Sequence, residues 1–356
     1  MDDIKTRDSK TRDSKTRDPK TRDPRGEVQD DDAAIALMDH PDSTEEIPTL
    51  DIAPYLEGRP GGREAVAARL REITMTVGFF YLRNHGIPQD LIDGAFEQNR
   101  RIHGLPDSEK RKMPWTNRDG SNVGYQGYHE DGDYKPQSNV NIVAHTKPNY
   151  YAKFNIIHES PGQPAKNLWP ETLPGFQDRL LAYYRAIEKL AMSFLPLWCV
   201  SLKLPVDYFD RSFENPHLLL SLLHYPPQKE IGNRQYGIAP HTDNAMMTFL
   251  AQADIPGLAV QMPSGHWRAV DIVPGTLLIN TGNSLVRWTN EDYLSTKHRV
   301  INTKGVDRYS IPVFFGPNNE TVVEVLPTCQ SPTKPPLYEP ISYGDLRGWY
   351  YGRDAK

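Results

Sequence analysis

The chain has few cysteines, no long apolar run and no excess of positive charge. Only Cys199 and Cys329 occur among its 356 residues, which argues against a disulfide scaffold and suits a reducing compartment. No stretch of about 18 apolar residues is present, so we expect no membrane-spanning helix. The first residues lack the apolar segment of a secretory signal. We therefore expect a cytoplasmic protein.

The charge balance also bears on the kind of partner. The formal net charge is -5, and 24% of the residues are charged. Binding to nucleic acid requires clustered lysine and arginine to neutralise phosphates, so we expect no nucleic-acid partner. The hydrophobic share of 38% is enough to build a large core in a chain of this length.

The first 46 residues differ in kind from the rest. A five-residue unit, KTRDS or KTRDP, occurs four times in succession from Lys5 to Pro24. The repeat has no apolar residue, and a period of five fits neither a helix nor a strand. Such a tract cannot bury enough surface to offset its ordering entropy, which predicts a disordered charged tail over residues 1–46. The alternative is a charged interaction arm.

Residues 47–214 alternate between helical and strand patterns. Apolar residues at helical spacing predict amphipathic helices over 61–77, 88–105 and 175–202, the last interrupted by Pro196. A buried strand is predicted at 78–87. The Gly-, Pro-, Asn- and Tyr-rich stretch 114–170 predicts long loops with short strands, which inside a domain commonly bind ligands.

Residues 215–345 have a different texture, and a short extension follows to residue 356. Eight or so short apolar runs, from "LLLSLLHY" to "TVVEVLP", are separated by turn residues without intervening helices. That spacing is typical of a barrel or a two-sheet jelly roll, which can hold a small ligand between its sheets. The predicted fold is therefore mainly β with flanking helices.

Three residues in this second region suit a metal. His241 and Asp243 lie in "PHTDNAMMTF", residues 240–249, where strand alternation predicts that both side chains share one face. His298 lies in "STKHRV", another predicted strand. Two imidazoles and one carboxylate are the facial ligand set of non-haem Fe(II), with positions left open for other ligands. Zn²⁺ in a hydrolase would accept the same ligands.

A second group follows in "RYSIPVFF". Arg308 and Ser310 alternate onto one face of a predicted strand, where a guanidinium and a hydroxyl can hold a carboxylate. Tyr225 in "LLHYPP" offers a third polar group. A carboxylate clamp beside an iron site indicates an anionic co-substrate. A Zn²⁺ hydrolase would leave this pair of residues unexplained. A jelly roll that only binds a ligand is disfavoured because a full triad and a carboxylate clamp occur together.

These motifs carry a family resemblance from Ile47 to Gly344. The stretches "GFFYLRNHGI", "GLPDSEK", "NLWP", "LLHYPP", "HTD", "STKHRV" and "RYS" resemble the isopenicillin N synthase-like branch of the Fe(II)/2-oxoglutarate-dependent oxygenases. Within that branch the chain is similar to the microbial group of thymine 7-hydroxylase and fungal natural-product oxygenases. The resemblance implies a double-stranded β-helix, a distorted jelly roll, as the core.

The resemblance also implies roles. His241, Asp243 and His298 would bind Fe(II), and Arg308, Ser310 and Tyr225 would hold the distal carboxylate of 2-oxoglutarate. With O₂, such an enzyme hydroxylates, desaturates or rearranges a small organic molecule, such as a natural-product intermediate, and releases succinate and CO₂. The alternative is an iron oxidase of the isopenicillin N synthase type, which uses no 2-oxoglutarate.

Departures from the family pattern concern the substrate. The stretch "YYAKFNIIHE" differs from the family at 150–159, and Ser221 stands where the thymine enzyme has arginine. We expect substrate contacts from residues with aromatic side chains: Phe314, Phe154, Tyr150 and Tyr151. The primary substrate, the position oxidised and the oligomeric state are left open.

Overall fold

The structure is a computed structural model that describes residues 45–118, 120–128, 149–159, 166–228 and 235–350. The predicted tail lies outside these residues apart from Glu45 and Glu46. Among the described residues, no helix is both long and apolar enough to cross a membrane.

The helices lie mostly where the apolar spacing predicts them. The predicted helix at 175–202 is divided in two, because Pro196 cannot donate a backbone hydrogen bond and sits in the first turn of the second segment. Four short helices of the described residues, at 53–56, 107–110, 283–288 and 343–350, were not predicted. The α-helices of the described residues are α1 (Ala53–Leu56), α2 (Gly62–Thr76), α3 (Gln89–His103), α4 (Asp107–Lys110), α5 (Phe176–Ser193), α6 (Leu195–Ser201), α7 (Asn283–Trp288) and α8 (Tyr343–Tyr350).

The strands of the described residues form two large sheets and one short two-stranded antiparallel sheet. The first six strands are β1 (Thr49–Asp51), β2 (Phe79–Arg83), β3 (Thr116–Arg118), β4 (Ser121–Gln126), β5 (Ala152–Ile157) and β6 (His217–Tyr225). The next six are β7 (Ile238–His241), β8 (Met247–Gln252), β9 (Leu258–Gln261), β10 (Trp267–Ala269), β11 (Thr276–Thr281) and β12 (His298–Val300). The last three are β13 (Arg308–Gly316), β14 (Val322–Val323) and β15 (Ile341–Ser342).

The two large sheets lie face to face, as a jelly roll requires. Within the described residues, the larger sheet has the order β1-β2-β11-β8-β13-β6-β5-β4-β3 and the smaller has the order β10-β9-β12-β7. Neighbouring strands are antiparallel except for β1 and β2, which are parallel. The expected mainly β fold with flanking helices and a jelly-roll core is confirmed.

Side chains alternate along the strands of the larger sheet, so one face packs against the helices and the other faces the smaller sheet. On β13, Ile311, Val313 and Phe315 face the helices and join the main apolar core. Arg308 and Ser310 alternate with them and point between the two sheets. A second apolar cluster between the sheets includes Phe79, Tyr225 and Val300 at the base of a cavity. The polar side chains between the sheets, such as Arg308 and Ser310, therefore lie next to apolar side chains.

Candidate functional site

His241, Asp243 and His298 lie close together where β7 ends and β12 begins in the smaller sheet. His241 ends β7 and His298 begins β12, and the two residues are direct cross-strand partners. Asp243 Oδ1 lies 3.8 Å from His241 Nε2 and 3.7 Å from His298 Nε2. One potential ligand atom from each side chain lies within 4.8 Å of the others, a spacing that would let all three bind one metal ion.

Asp243 does not lie in a strand, contrary to the expectation for residues 240–249. β7 ends at His241, and the next strand begins at Met247. The intervening loop docks on the first turn of α7, where the Asn283 backbone N–H donates to the Asp243 carbonyl at 2.8 Å. Close approach at Gly282 permits this docking, because a Cβ there would lie 2.2 Å from the Ala245 carbonyl oxygen. The loop, rather than strand alternation, turns the carboxylate toward the two imidazoles.

Backbone carbonyls orient both imidazole rings. His241 Nδ1 lies 2.8 Å from the Ala239 oxygen, and His298 Nδ1 lies 3.1 Å from the Thr296 oxygen. A carbonyl only accepts, so each Nδ1 carries the proton and donates it. Each Nε2 is thereby left as a lone-pair donor directed at the shared centre. Metal-binding histidines are commonly oriented in this way.

Two further residues fix the carboxylate. Thr248 Oγ1 donates to Asp243 Oδ2 at 2.6 Å, and Asn280 Nδ2 donates to the same oxygen at 2.7 Å. Oδ1 is left facing the imidazoles. The sequence analysis missed both residues, although a polar side chain inside the buried run "TLLINT" was a signal. Asn280 is only 3% exposed.

The protonation states are those that metal binding requires. Burial, followed by the nearby His298, lowers the pKa of His241, which keeps that imidazole neutral at pH 7. Burial opposes ionisation of Asp243, but the two histidines and the hydrogen bonds to Oδ2 outweigh it and hold the pKa of Asp243 below its usual value. A neutral imidazole and an ionised carboxylate are the forms that bind a divalent ion.

Arg308, Ser310 and Tyr225 also come together in the same cavity. Arg308 and Tyr225 are cross-strand partners, and the guanidinium carbon lies 4.7 Å from the centre of the Tyr225 ring. All three residues are at most 2% exposed. Burial raises the pKa of Tyr225, while Arg308 and Ser310 beside its hydroxyl oppose that shift.

The Arg308 guanidinium is a buried cation with unused donors. Its Nε and Nη1 have no hydrogen-bond partner among the described residues. Burial lowers the pKa of Arg308, and Tyr225 partly offsets this. A buried charge without a partner is costly, so the geometry favours an anion bound between Arg308 and Ser310.

Neighbouring residues hold this cation and its strand in place. A Cβ at Gly257 would lie 2.9 Å from both Cδ and Nε of Arg308, so glycine is what allows the side chain to pass. Asn99 on α3 donates from one Nδ2 to the carbonyls of Ser310 and Leu223, each at 3.2 Å. This amide ties β13 to β6 beside the polar groups.

Comparisons with known proteins agree with this geometry. Residues 47–172 match the family described as non-haem dioxygenase in morphine synthesis N-terminal, and residues 216–317 match the 2OG-Fe(II) oxygenase superfamily. A 2-oxoglutarate-Fe(II) type oxidoreductase of Emericella nidulans is 32% identical, over 86% of this chain and 90% of that protein. The chain belongs to the 2OG-Fe(II) oxygenase superfamily. It is a 2-oxoglutarate-dependent dioxygenase, with Fe(II) as cofactor and 2-oxoglutarate and O₂ as co-substrates.

Other relatives show the range of this superfamily. An azadirone synthase of Melia azedarach is 31% identical, over 78% of this chain and 85% of that protein. Among solved structures, a full-length Neurospora crassa protein in complex with alpha-KG and thymine has a TM-score of 0.77 and 26% identity. The match covers 89% of this chain and 99% of that one. The expected resemblance to this superfamily is confirmed.

The residues of this oxygenase fit the cofactors of its superfamily. The donor set of two Nε2 atoms and one carboxylate oxygen suits Fe(II). The unused donors of Arg308 suit a carboxylate on the other side of the cavity. The apolar wall between them includes Phe79, Leu250 and Pro312.

Of the four residues predicted to contact substrate, Phe314 lines the cavity, whereas Tyr150, Tyr151 and Phe154 are not among its lining residues. Phe314 is half-buried and lines the cavity that contains the triad. Tyr151 packs against the inter-sheet cluster, with its ring 6.0 Å from that of Tyr225. Tyr150 lies further out, with its ring 5.5 Å from that of Tyr128.

Phe154 is not brought to the cavity. It is fully buried in the core on the helix side of the sheet, and its ring lies 5.8 Å from that of Phe176. The reason is strand alternation, because residues 150–159 are not all loop. Lys153 and Asn155 on β5 face the inter-sheet side, and Phe154 between them faces the helices. The expectation that Phe154 contacts substrate is therefore corrected to a role in core packing.

Proposed function

We propose that this oxygenase oxidises a small, ring-containing natural-product intermediate. In this proposal His241, Asp243 and His298 bind Fe(II), while Arg308, Ser310 and Tyr225 bind the distal carboxylate of 2-oxoglutarate. The observation that carries it is the pairing, in one cavity, of a converging ligand triad with a buried cation whose donors are unused.

When bound, Fe(II) and 2-oxoglutarate supply O₂-dependent oxidation of a C–H bond with release of succinate and CO₂. The residues of this chain supply position. The Ala239 and Thr296 carbonyls hold the two imidazoles, and Thr248 and Asn280 hold the carboxylate. The apolar lining excludes water from the reacting atoms, which limits side reactions.

The substrate class is supported by the cavity wall and by relatives. Phe314 and Phe79 on the cavity wall give an apolar, aromatic surface suited to a ring system. One relative is named for synthesis of azadirone, and one structural neighbour is in complex with thymine, so small molecules occupy this superfamily's sites. Ser221 is buried and donates to Asn155 Oδ1 at 2.6 Å, so this part of the inter-sheet face carries a neutral hydrogen-bonded pair.

One experiment distinguishes this proposal from the oxidase of the isopenicillin N synthase type. The purified enzyme with Fe(II) is incubated with a panel of ring-containing small molecules, with and without 2-oxoglutarate, and then exposed to O₂. Mass spectrometry measures succinate and oxidised product. We expect both to form only with 2-oxoglutarate, in nearly equal amounts. Product formed at the full rate without 2-oxoglutarate would establish the oxidase instead.

A further inference from the structure

Lys153 on β5 points to the same side of the larger sheet as the co-substrate clamp. It is the cross-strand partner of Leu223 on β6, and Leu223 is in turn the partner of Ser310 on β13. Leu223 lines the cavity. Neighbouring strands are about 4.8 Å apart, so the backbone of Lys153 lies about 10 Å from that of Ser310. Lys153 therefore lies on the same face as the clamp, two strands away and next to Leu223, although it is not itself one of the residues that line the cavity.

Aromatic rings rather than acids surround the Lys153 ammonium. Its Nζ lies 4.6 Å from the centre of the Trp115 ring and 5.4 Å from that of Tyr151. It also donates to the Tyr151 hydroxyl at 3.4 Å, which is a long hydrogen bond. Two rings hold the cation in place electrostatically and use few of its three N–H donors.

The ammonium has no carboxylate partner among the described residues, whereas Lys112 and Lys334 form ion pairs at 2.8 and 2.6 Å. Lys153 is half-buried, so its charge is only partly hydrated. The hydrogen bond to Tyr151 engages one of its three N–H donors.

With Fe(II) and 2-oxoglutarate bound, the Lys153 ammonium is a positive charge in addition to those that the site itself neutralises. Fe(II) and Arg308 together carry three positive charges, two from the ion and one from the side chain. Asp243 and the 2-oxoglutarate dianion together carry three negative charges. These balance when the site is loaded, so the charge of Lys153 is not needed to neutralise the metal, its ligand or the co-substrate.

We infer that Lys153 binds an anionic group, a carboxylate, on the primary substrate. This inference rests on the proposed function and narrows its substrate class to ring-containing monocarboxylates. The ring lies toward Phe314, and the carboxylate takes the N–H donors that Trp115 and Tyr151 leave free. Binding at Lys153 thus fixes the end of the substrate that is not oxidised.

The test is a binding measurement on the anaerobic enzyme loaded with Fe(II) and 2-oxoglutarate. The probes are phenylacetate and indole-3-acetate, each paired with its own primary amide, and calorimetry gives each Kd. We expect wild type to bind each carboxylate about tenfold more tightly than its amide. Lys153→Met should abolish that preference and leave amide binding unchanged, and Lys153→Arg should restore most of it. Lys189→Met, on the exposed face of α5, is the matched control and should behave as wild type.

A second readout comes from the ring under the ammonium. Binding of either carboxylate should change tryptophan emission, and Trp115→Phe should remove that change. The inference is overturned if wild type binds neither carboxylate, if it shows no preference over the amide, or if Lys153→Met keeps the preference. Binding of 2-oxoglutarate to the same variants separates the two proposals. Lys153→Met should leave it intact, whereas wild type that fails to bind 2-oxoglutarate would contradict the proposed function itself.

Discussion

Replacing Asn280 with alanine should weaken metal binding without unfolding the protein. The change removes the 2.7 Å hydrogen bond to Asp243 Oδ2 and leaves only the 2.6 Å bond from Thr248. The carboxylate can then rotate, and its Oδ1 is no longer held toward the imidazoles. Loss of such an outer partner typically costs 10- to 100-fold in metal affinity, about 1.4–2.7 kcal/mol. Thr248→Val should cost a similar amount.

The assay is an anaerobic calorimetric titration with Fe(II), in the absence of 2-oxoglutarate, together with thermal unfolding of the metal-free protein. Asn155→Ala is the matched control, because Asn155 is also buried on the inter-sheet face but contacts Ser221 rather than Asp243. We expect Asn155→Ala to bind Fe(II) as wild type does. The double variant of Asn280 and Thr248 should bind more weakly than either single variant. Wild-type affinity in a folded Asn280→Ala protein would refute the role assigned to this amide.

Three further predictions concern the clamp, the substrate wall and acid stability. Gly257→Ala should raise the KM for 2-oxoglutarate several-fold, because the added Cβ would displace the Arg308 side chain. An unchanged KM in steady-state kinetics would count against that steric role. Because Phe314 lines the cavity, Phe314→Ala should increase the ratio of succinate to oxidised product while 2-oxoglutarate binding stays the same. An unchanged ratio would place the substrate elsewhere. Burial lowers the pKa of His103 from 6.5 to about 3, so the imidazole stays neutral in the folded protein. Above pH 6.5 it is neutral in the unfolded chain as well, and its burial then contributes fully to stability. That contribution is lost as the pH falls toward 3, at about 1.4 kcal/mol per unit. In urea unfolding between pH 7 and pH 4.5, His103→Gln should lose less stability than wild type, and an equal loss would contradict this account.

The ligand triad was accessible from the sequence because its chemistry restricts the residue types. Two histidines and a nearby aspartate in a strand-rich region predict a metal site, and the structure brings the three together. The local prediction was nevertheless wrong for Asp243, which lies in a loop after β7. The position of a loop residue depends on what the loop docks against, here the first turn of α7, and no local pattern encodes that contact.

The substrate wall was less accessible for a geometric reason. An error of one residue in the phase of a strand moves every side chain to the other face. The composition of residues 114–170 predicts loops with short strands but not the phase of any strand, so Phe154 is predicted to contact substrate and Lys153 is not singled out. The structure has β5 there, with Phe154 in the helix-side core and Lys153 on the inter-sheet side. Asn280 and Thr248 were not predicted as site residues. A polar residue in a buried strand indicates that it has a hydrogen-bond partner, but it does not indicate which residue that partner is.

Anaerobic formation of the complex with Fe(II) and 2-oxoglutarate tests the central claim most directly. The visible charge-transfer absorption of such a complex is followed while 2-oxoglutarate is added to the Fe(II)-loaded protein. We predict that wild type forms it, that Asp243→Ala does not, and that Arg308→Leu forms it only at 2-oxoglutarate concentrations at least about tenfold higher, because a charge-assisted carboxylate contact is lost. Formation of the complex by Asp243→Ala at wild-type affinity, or an unchanged 2-oxoglutarate requirement in Arg308→Leu, would contradict the assignment of this cavity.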